Sequence, residues 1–392
     1  MNNYPINPQD TDFGLYIHWP FCVSKCPYCD FNSHVRATVN WQEWFICLKA
    51  EIDFYGKRTW GRRLTSIFFG GGTPSLMPAA MIEGLITTAQ KYWLFDQGIE
   101  ITLEANPSSV ESQKFADYRQ SGINRLSIGI QSLNDRDLKF LGRHHDSRQA
   151  IQAIEIAAKH FEKYSFDLIY ALPHQTLGSW QQELNQAMSL SGSHLSLYQL
   201  TIEQGTVFEK NYKEGLWPMP DQELSADFYQ WTNNFMREQG FHHYEISNYA
   251  KPDAQCRHNL TYWRYQDYIG IGPGAHGRVK INQQKYASFQ LKIPETWQQH
   301  LLVHGHGTKD FYPLSPLERR TEAMLMGLRL EDGINLALAA HETGINLVDS
   351  LSGKALRELQ AKQLLIVTAT RIQATELGRL KLNALIDYLL TA

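Results

Sequence analysis

Apolar residues along the first half of the chain fall into short runs of strand character, each followed by a longer stretch with helical spacing. The first run, starting at Tyr16, leads into a loop and then into Asn40 to Arg58, where Trp41, Trp44, Phe45, Leu48 and Ile52 mark one helical stripe. Leu64 to Phe69 reads as a second strand and is followed by helical sequence from Pro78 to Trp93. Strand-like runs recur at Ile99–Glu104, Asn124–Ile130, Ser165–Tyr170 and His194–Gln199, with helical pattern over 109–120, up to His160, and over 179–190. Strands alternating with helices at this spacing predict an α/β fold in which a parallel sheet is wound with helices. Six such units fall short of the eight of a closed barrel, so the expectation is a partial (β/α)6 barrel with its chemistry at the C-terminal strand ends.

From Asp221 the period changes. A helix over 221–238 leads to Phe241–Tyr249, to an aromatic segment around Cys256–Trp263, and to a glycine-rich run at 269–277. The polar stretch 281–295 reads as a linker, which divides the chain into 1–280 and 281–392. Beyond it, helical sequence at Leu317–Leu330 and 356–362, two short strands at 364–367 and 371–373, and a helix from Glu376 to Leu390 suggest a smaller, mostly helical C-terminal domain of winged-helix type. Its helices are not basic, so packing or docking is expected of it rather than DNA binding.

Bulk composition narrows the partners. The chain has 392 residues, a net charge of −3 and 43% hydrophobic residues, which describes an ordinary globular protein without a basic footprint for nucleic acid. The first residues, MNNYPINPQDTDFG, carry no basic region followed by an apolar core, and no window approaches the ~18 apolar residues of a membrane span. A cytoplasmic protein is expected. Five cysteines, an odd number with three clustered, suit a reducing compartment better than a disulfide framework.

That cluster, Cys22, Cys26 and Cys29, has C-x3-C-x2-C spacing directly after the first strand. Three thiolates on one loop can hold a cubane iron–sulfur cluster and leave one iron open to another ligand, whereas a structural zinc normally takes four side chains. Three unliganded thiols, or a zinc completed by His18 or His34, are the alternatives. A second motif, Gly70-Gly71-Gly72-Thr73-Pro74, ends the second strand and brings bare backbone to the same end of the sheet; a tight turn is its plain structural reading. Glu104-Ala-Asn-Pro107 ends the third strand.

Together these motifs resemble the radical S-adenosylmethionine superfamily, in particular the branch holding the oxygen-independent coproporphyrinogen oxidases and the haem chaperones of HemW type. The likeness runs from Tyr16 to the C-terminal module. It implies a [4Fe–4S] cluster on Cys22, Cys26 and Cys29, with S-adenosylmethionine chelating the open iron. It also implies that Gly71, Gly72 and Thr73 lie by the methionine amino group, that Glu104, Gln131, Arg143 and Asp167 hold the rest of the cofactor, and that Tyr16 and Tyr28 flank cluster and adenine. The chemistry of these types agrees: carboxylates and an amide suit ribose hydroxyls, and a guanidinium suits a carboxylate.

Two features separate the two relatives. His258-Asn259-Leu-Thr-Tyr262-Trp263 resembles the H-N-x-x-Y-W haem signature of the chaperones, which implies His258 as axial iron ligand with Asn259, Tyr262 and Trp263 around the porphyrin. On its own, a histidine in an aromatic segment reads as a hydrogen-bonded core residue. The oxidases carry a further cysteine two residues after the third, where this chain has Phe31, and a longer N-terminal extension than the 21 residues before Cys22. The expected function is therefore a haem chaperone that hands haem to acceptors such as respiratory enzymes, some of them at a membrane. Oxidative decarboxylation of coproporphyrinogen III is the competing reading. The family also allows a cluster-linked homodimer.

Overall fold

The computed structural model describes residues 12–108 and 112–391. Six parallel strands form the centre of one twelve-stranded sheet: β1 (Asp12–Trp19), β2 (Arg63–Gly71), β3 (Leu94–Ala105), β4 (Arg125–Gln131), β5 (Lys163–Tyr170) and β6 (His194–Gln199). They follow each other in sequence order across the sheet, as right-handed βα units do. Helices cover the outside. Trp41–Arg58 starts at an Asn40 cap, while Ser147–His160 and Leu177–Leu190 start with capping boxes, Asp146 with Gln149 and Thr176 with Ser179. The helix expected from 109 is Phe115–Gln120 where described, and residues 109–111 lie outside the described set. Ile17, Phe69, Leu103, Ile128, Phe166 and Leu197 are buried in the main core with Trp19 and Trp180.

The six expected strands are joined by a seventh parallel one. β7 (Asp267–Ile271) pairs with β1 on its free side, Tyr16 opposite Gly270. The glycine run hid this strand, because Gly270 is required there by packing: a Cβ would lie 1.9 Å from the His276 carbonyl oxygen. The sheet then continues antiparallel through β8 (His276–Ile281), β9 (Gln284–Gln290) and β10 (Thr308–Pro313). The stretch 281–295 is thus no linker. Two of its polar residues face inward and are paired, Lys285 with Asp267 and Glu342 at 3.3 and 3.2 Å, and Gln290 with the Tyr55 hydroxyl and the Gly270 carbonyl.

Past Pro313 the helix Pro316–Gly327, the short strand Ile334–Asn335, helices Leu336–Thr343 and Gly353–Ala361, and strands Leu365–Val367 and Arg371–Ala374 follow in winged-helix order. A second buried cluster, including Met324, Leu328, Leu347, Leu359, Ile372 and Leu385, fills this module. It meets the sheet through charges as well as apolar contacts. Glu342 takes Lys280 at 2.8 Å and Lys285, itself 0% exposed, while Glu322 receives Arg278 in a bidentate pair at 2.7 to 3.0 Å. Among the described residues no helix is long and apolar enough to cross a membrane.

Candidate functional site

A cleft of about 890 Å³ opens at the C-terminal ends of the parallel strands. Cys22, Cys26, Cys29 and Tyr28 line it from the loop after β1, and Gly71, Gly72 and Thr73 from the end of β2. Glu104, Gln131 and Asp167 enter from β3, β4 and β5, and Arg143 from the segment after β4. The fold thus gathers these sequence-predicted residues in one place, as the C-terminal ends of parallel strands tend to do.

Local chemistry explains how the walls come so close. Gly71 has φ of +115°, and a Cβ there would lie 2.5 Å from the His18 ring; at Gly72 it would lie 2.7 Å from the Phe21 carbonyl oxygen. The glycine run is therefore needed first by the cysteine loop itself, whose backbone packs on it. Gly142, also left-handed, sits against Pro27 and so places Arg143 beside the cysteines. Gln131 closes β4 in the left-handed region at φ of 72°, an uncommon conformation for a residue with a side chain and one that accumulates at ligand-binding positions.

Each of the three sulfurs has a polar neighbour. The Thr73 hydroxyl donates to Cys22 Sγ at 3.4 Å, Arg143 Nη1 donates to Cys26 Sγ at 3.4 Å, and Ser33 Oγ lies 3.9 Å from Cys29 Sγ. Asn106 ties two of these together. Its Nδ2 donates to Thr73 Oγ1 and its Oδ1 accepts from Arg143 Nη2, so one amide bridges the supports of Cys22 and Cys26. Burial raises the Cys22 and Cys29 thiols above the usual range, opposed by the hydroxyls of Thr73 and Ser33.

The donor set fits a cubane cluster: three thiols, two with hydrogen-bond donors aimed at sulfur and the third beside the Ser33 hydroxyl, and no fourth cysteine in the lining. Cys47 is buried on the first helix, and Cys256 is buried with its thiol 3.2 Å from Glu100. Of the two histidines of the zinc alternative, His18 has Nδ1 and Nε2 held by the Tyr16 hydroxyl and the Asn32 carbonyl, both at 2.9 Å, and His34 has Nε2 3.2 Å from Asn32 Oδ1. Phe31 is 56% exposed at the cleft lip.

Glu104 and Asp167 face the interior together. Glu104 accepts from the Gly71 N–H at 3.1 Å, and burial, then the neighbouring Asp167 charge, push its carboxyl up to about 8. Burial raises Asp167 to about 6 against hydrogen bonding from Ser196 and the charge of Arg143. Two desolvated carboxylates in one cleft hold a proton near neutral pH until cationic or hydroxyl-bearing groups arrive.

Not every expected residue reaches the cleft. Tyr16 stands inside the barrel, bonded to His18 and packed on Phe68, and is absent from the lining. The 256–263 segment lies at the opposite end of the barrel. Its helix, Arg257–Trp263, forms a floor at the N-terminal strand ends, where the His258 N–H donates to Glu100 and the Arg257 guanidinium to Asp96. His258 is 0% exposed, stacks on Phe68 at 5.1 Å, and has both ring nitrogens engaged: Nδ1 with Ser66 Oγ at 2.8 Å and Nε2 with the Tyr262 hydroxyl at 2.7 Å. In this arrangement neither nitrogen is open to an iron. Asn259, Tyr262 and Trp263 line a separate cavity of about 320 Å³, which shares Tyr198 with the cleft. Sequence reasoning passed over Asn106, although it stands in the quoted Glu-Ala-Asn-Pro motif. It also passed over Tyr198, for which no local signal exists beyond its place at the end of β6.

A parallel partial barrel with three cysteines on the loop after its first strand defines the class: residues 16–187 match the Radical SAM superfamily, and residues 314–380 match the HemN C-terminal domain. The solved structure of coproporphyrinogen III oxidase (HemN) from Escherichia coli, described as a radical SAM enzyme, superposes with a TM-score of 0.81 over 98% of this chain and 91% of that one, at 22% identity. Heme chaperone HemW of Haemophilus influenzae is 36% identical over 98% of this chain and 99% of its own length. The mitochondrial radical S-adenosyl methionine domain-containing protein 1 of Bos taurus is 37% identical over 98% of this chain and 88% of its own. The chain belongs to the HemW haem chaperone family within the radical SAM superfamily.

Proposed function

We propose that the chain binds haem and delivers it to apo-proteins of haem chemistry, respiratory enzymes among them, from a cytoplasmic location. The observation that carries this reading is the near full-length likeness to proteins named heme chaperone HemW. Phe31 at the cleft lip, where the oxidases have a further cysteine, supports it.

Cys22, Cys26 and Cys29 are the residues that would hold a [4Fe–4S] cluster, and Glu104, Gln131, Arg143 and Asp167 those that would hold S-adenosylmethionine; bound together, the two supply one-electron chemistry. The protein's part is positional. Arg143, fixed by the Gly129 carbonyl and Asn106 at 2.7 Å each, presents a guanidinium to a carboxylate, and Glu104 and Asp167 present acceptors to hydroxyls. His258, Asn259, Tyr262 and Trp263 form the haem segment on this reading.

The test is a haemin titration of the purified protein. Saturable binding at about one haem per chain with a defined Soret band is expected. Absence of saturable binding, or robust anaerobic conversion of coproporphyrinogen III in the presence of S-adenosylmethionine, overturns the reading. A second expectation follows from the Glu104 carboxyl near 8. S-adenosylmethionine carries a net positive charge, so it binds the ionised form better, and raising the pH through that value strengthens binding. Affinity of the cluster-loaded protein at pH 8.5 should exceed that at pH 6.5 by about tenfold, equivalent to roughly one unit of pKa coupling. Glu104→Gln should flatten this dependence; calorimetry on both proteins checks it.

A further inference from the structure

Asn106 follows β3 directly, precedes Pro107 and lines the cleft. A polar side chain at such a strand end needs only solvent or a turn. Here both ends of the amide are engaged, and the partners fix which end is which. Arg143 Nη2, 2.7 Å away, can only donate, so it faces Oδ1. The other end is then Nδ2, 3.2 Å from Thr73 Oγ1, and it can only donate in its turn. Thr73 Oγ1 therefore accepts from the amide, and its own hydrogen is left to Cys22 Sγ at 3.4 Å.

The same guanidinium serves a second sulfur by contact. Its Nη1 donates to Cys26 Sγ at 3.4 Å, while Nη2 is also held by the Gly129 carbonyl. Two of the three sulfurs thus receive hydrogens whose direction starts at one cation: Cys26 directly, and Cys22 through an amide and a hydroxyl. Ser33, 3.9 Å from Cys29 Sγ, stands outside this chain. Hydrogen bonds donated to cysteine sulfur favour the more negative, reduced form of an iron–sulfur cluster and so raise its reduction potential.

We propose that Asn106 is a positioning residue that sets the reduction potential of the cluster, by aiming the Thr73 hydroxyl at Cys22 and the Arg143 guanidinium at Cys26. The inference rests on the cluster reading above. Asn106, Thr73 and Arg143 keep all their bonds and protons when an external reductant supplies the electron; they act only through where their hydrogens point. Asn106→Asp isolates this role. The carboxylate is isosteric and still accepts from Arg143, but it replaces the amide donor with a second acceptor. The Thr73 hydroxyl then donates to the carboxylate, and Cys22 loses its hydrogen.

Anaerobic titration with dithionite and redox dyes, followed by bleaching of the visible band, measures the potential of reconstituted wild type, Asn106→Asp, Thr73→Val and the double variant. In the wild-type background Thr73→Val should lower the ratio of reduced to oxidised cluster at a fixed poise about tenfold, or roughly 59 mV for one electron. In the Asn106→Asp background the same substitution should change that ratio by about twofold or less, because the hydroxyl has already left the sulfur. The added carboxylate charge is common to both members of that pair and cancels. Asn106→Asp alone should be harder to reduce than wild type. An equal effect of Thr73→Val in the two backgrounds, or an unshifted potential in Asn106→Asp, overturns the inference. So does iron well below the wild-type load in Asn106→Asp, which would make the amide a prop of the cysteine loop rather than a control on potential. Wild type that fails to take up about four irons per chain overturns the cluster reading itself.

Discussion

Cys26→Ala should abolish cluster loading: after anaerobic reconstitution, iron is expected to fall from about four per chain to near zero, with loss of the brown chromophore. Cys26 is one of three sulfurs lining the cleft, and no other cysteine is positioned to replace it, since Cys47 and Cys256 are buried elsewhere. Two thiolates do not retain a cubane, so the effect is all or nothing rather than graded. Cys22→Ala and Cys29→Ala should behave alike, while Cys47→Ala and Cys256→Ala should load as wild type does. Iron and sulfide analysis beside the visible spectrum decides it; wild-type iron in Cys26→Ala would contradict the assignment. Haem binding is expected to survive this loss, because His258 is at the far end of the barrel from the cysteines.

The second large effect lies away from the cleft. Asp267, at the start of β7, is buried between the Arg62 guanidinium at 2.9 Å and the Lys285 ammonium at 3.3 Å. Asp267→Ala leaves two buried cations without this partner and should cost about 3–5 kcal/mol of stability, read by urea denaturation. Asp267→Asn should cost nearly as much, because the loss is of charge rather than shape. Burial raises the Asp267 carboxyl, but the charges of Arg62 and Lys285 prevail and hold it below the ordinary range. A depressed carboxyl contributes stability above its unfolded value, ~3.9, and loses it as pH falls through the folded value. Wild type should therefore weaken steeply on acidification below about pH 4, and Asp267→Asn less so.

The parts of this molecule that could be read from sequence are those whose cause is local. The six strand and helix units follow from period alone, and Cys22, Cys26 and Cys29 stand within eight residues of each other on one loop. Glu104, Gln131 and Asp167 were placed together because parallel strands bring their ends to one edge. What escaped depends on partners far along the chain. The strand Gln284–Gln290 looked like a polar linker because Lys285 and Gln290 point inward, and the groups that satisfy them are Asp267, Glu342 and Tyr55. For His258 the residues alone suggest a hydrogen-bonded core position and the resemblance a haem ligand; the partner that spacing could not supply is Ser66, 192 residues earlier, which bonds one ring nitrogen inside the barrel floor. Asn106 bridges Thr73 and Arg143, two motifs that no spacing rule connects.

The charged seam between β8, β9 and the winged-helix module has one more consequence. A chain ending after Pro313 would keep every residue that lines the cleft, yet Arg278 would lose Glu322, Lys280 and Lys285 would lose Glu342, and Asp267 would be left to Arg62 and Lys285. The C-terminal module thus serves the barrel as its counter-ion, neutralising a cationic wall that water does not reach at Lys285.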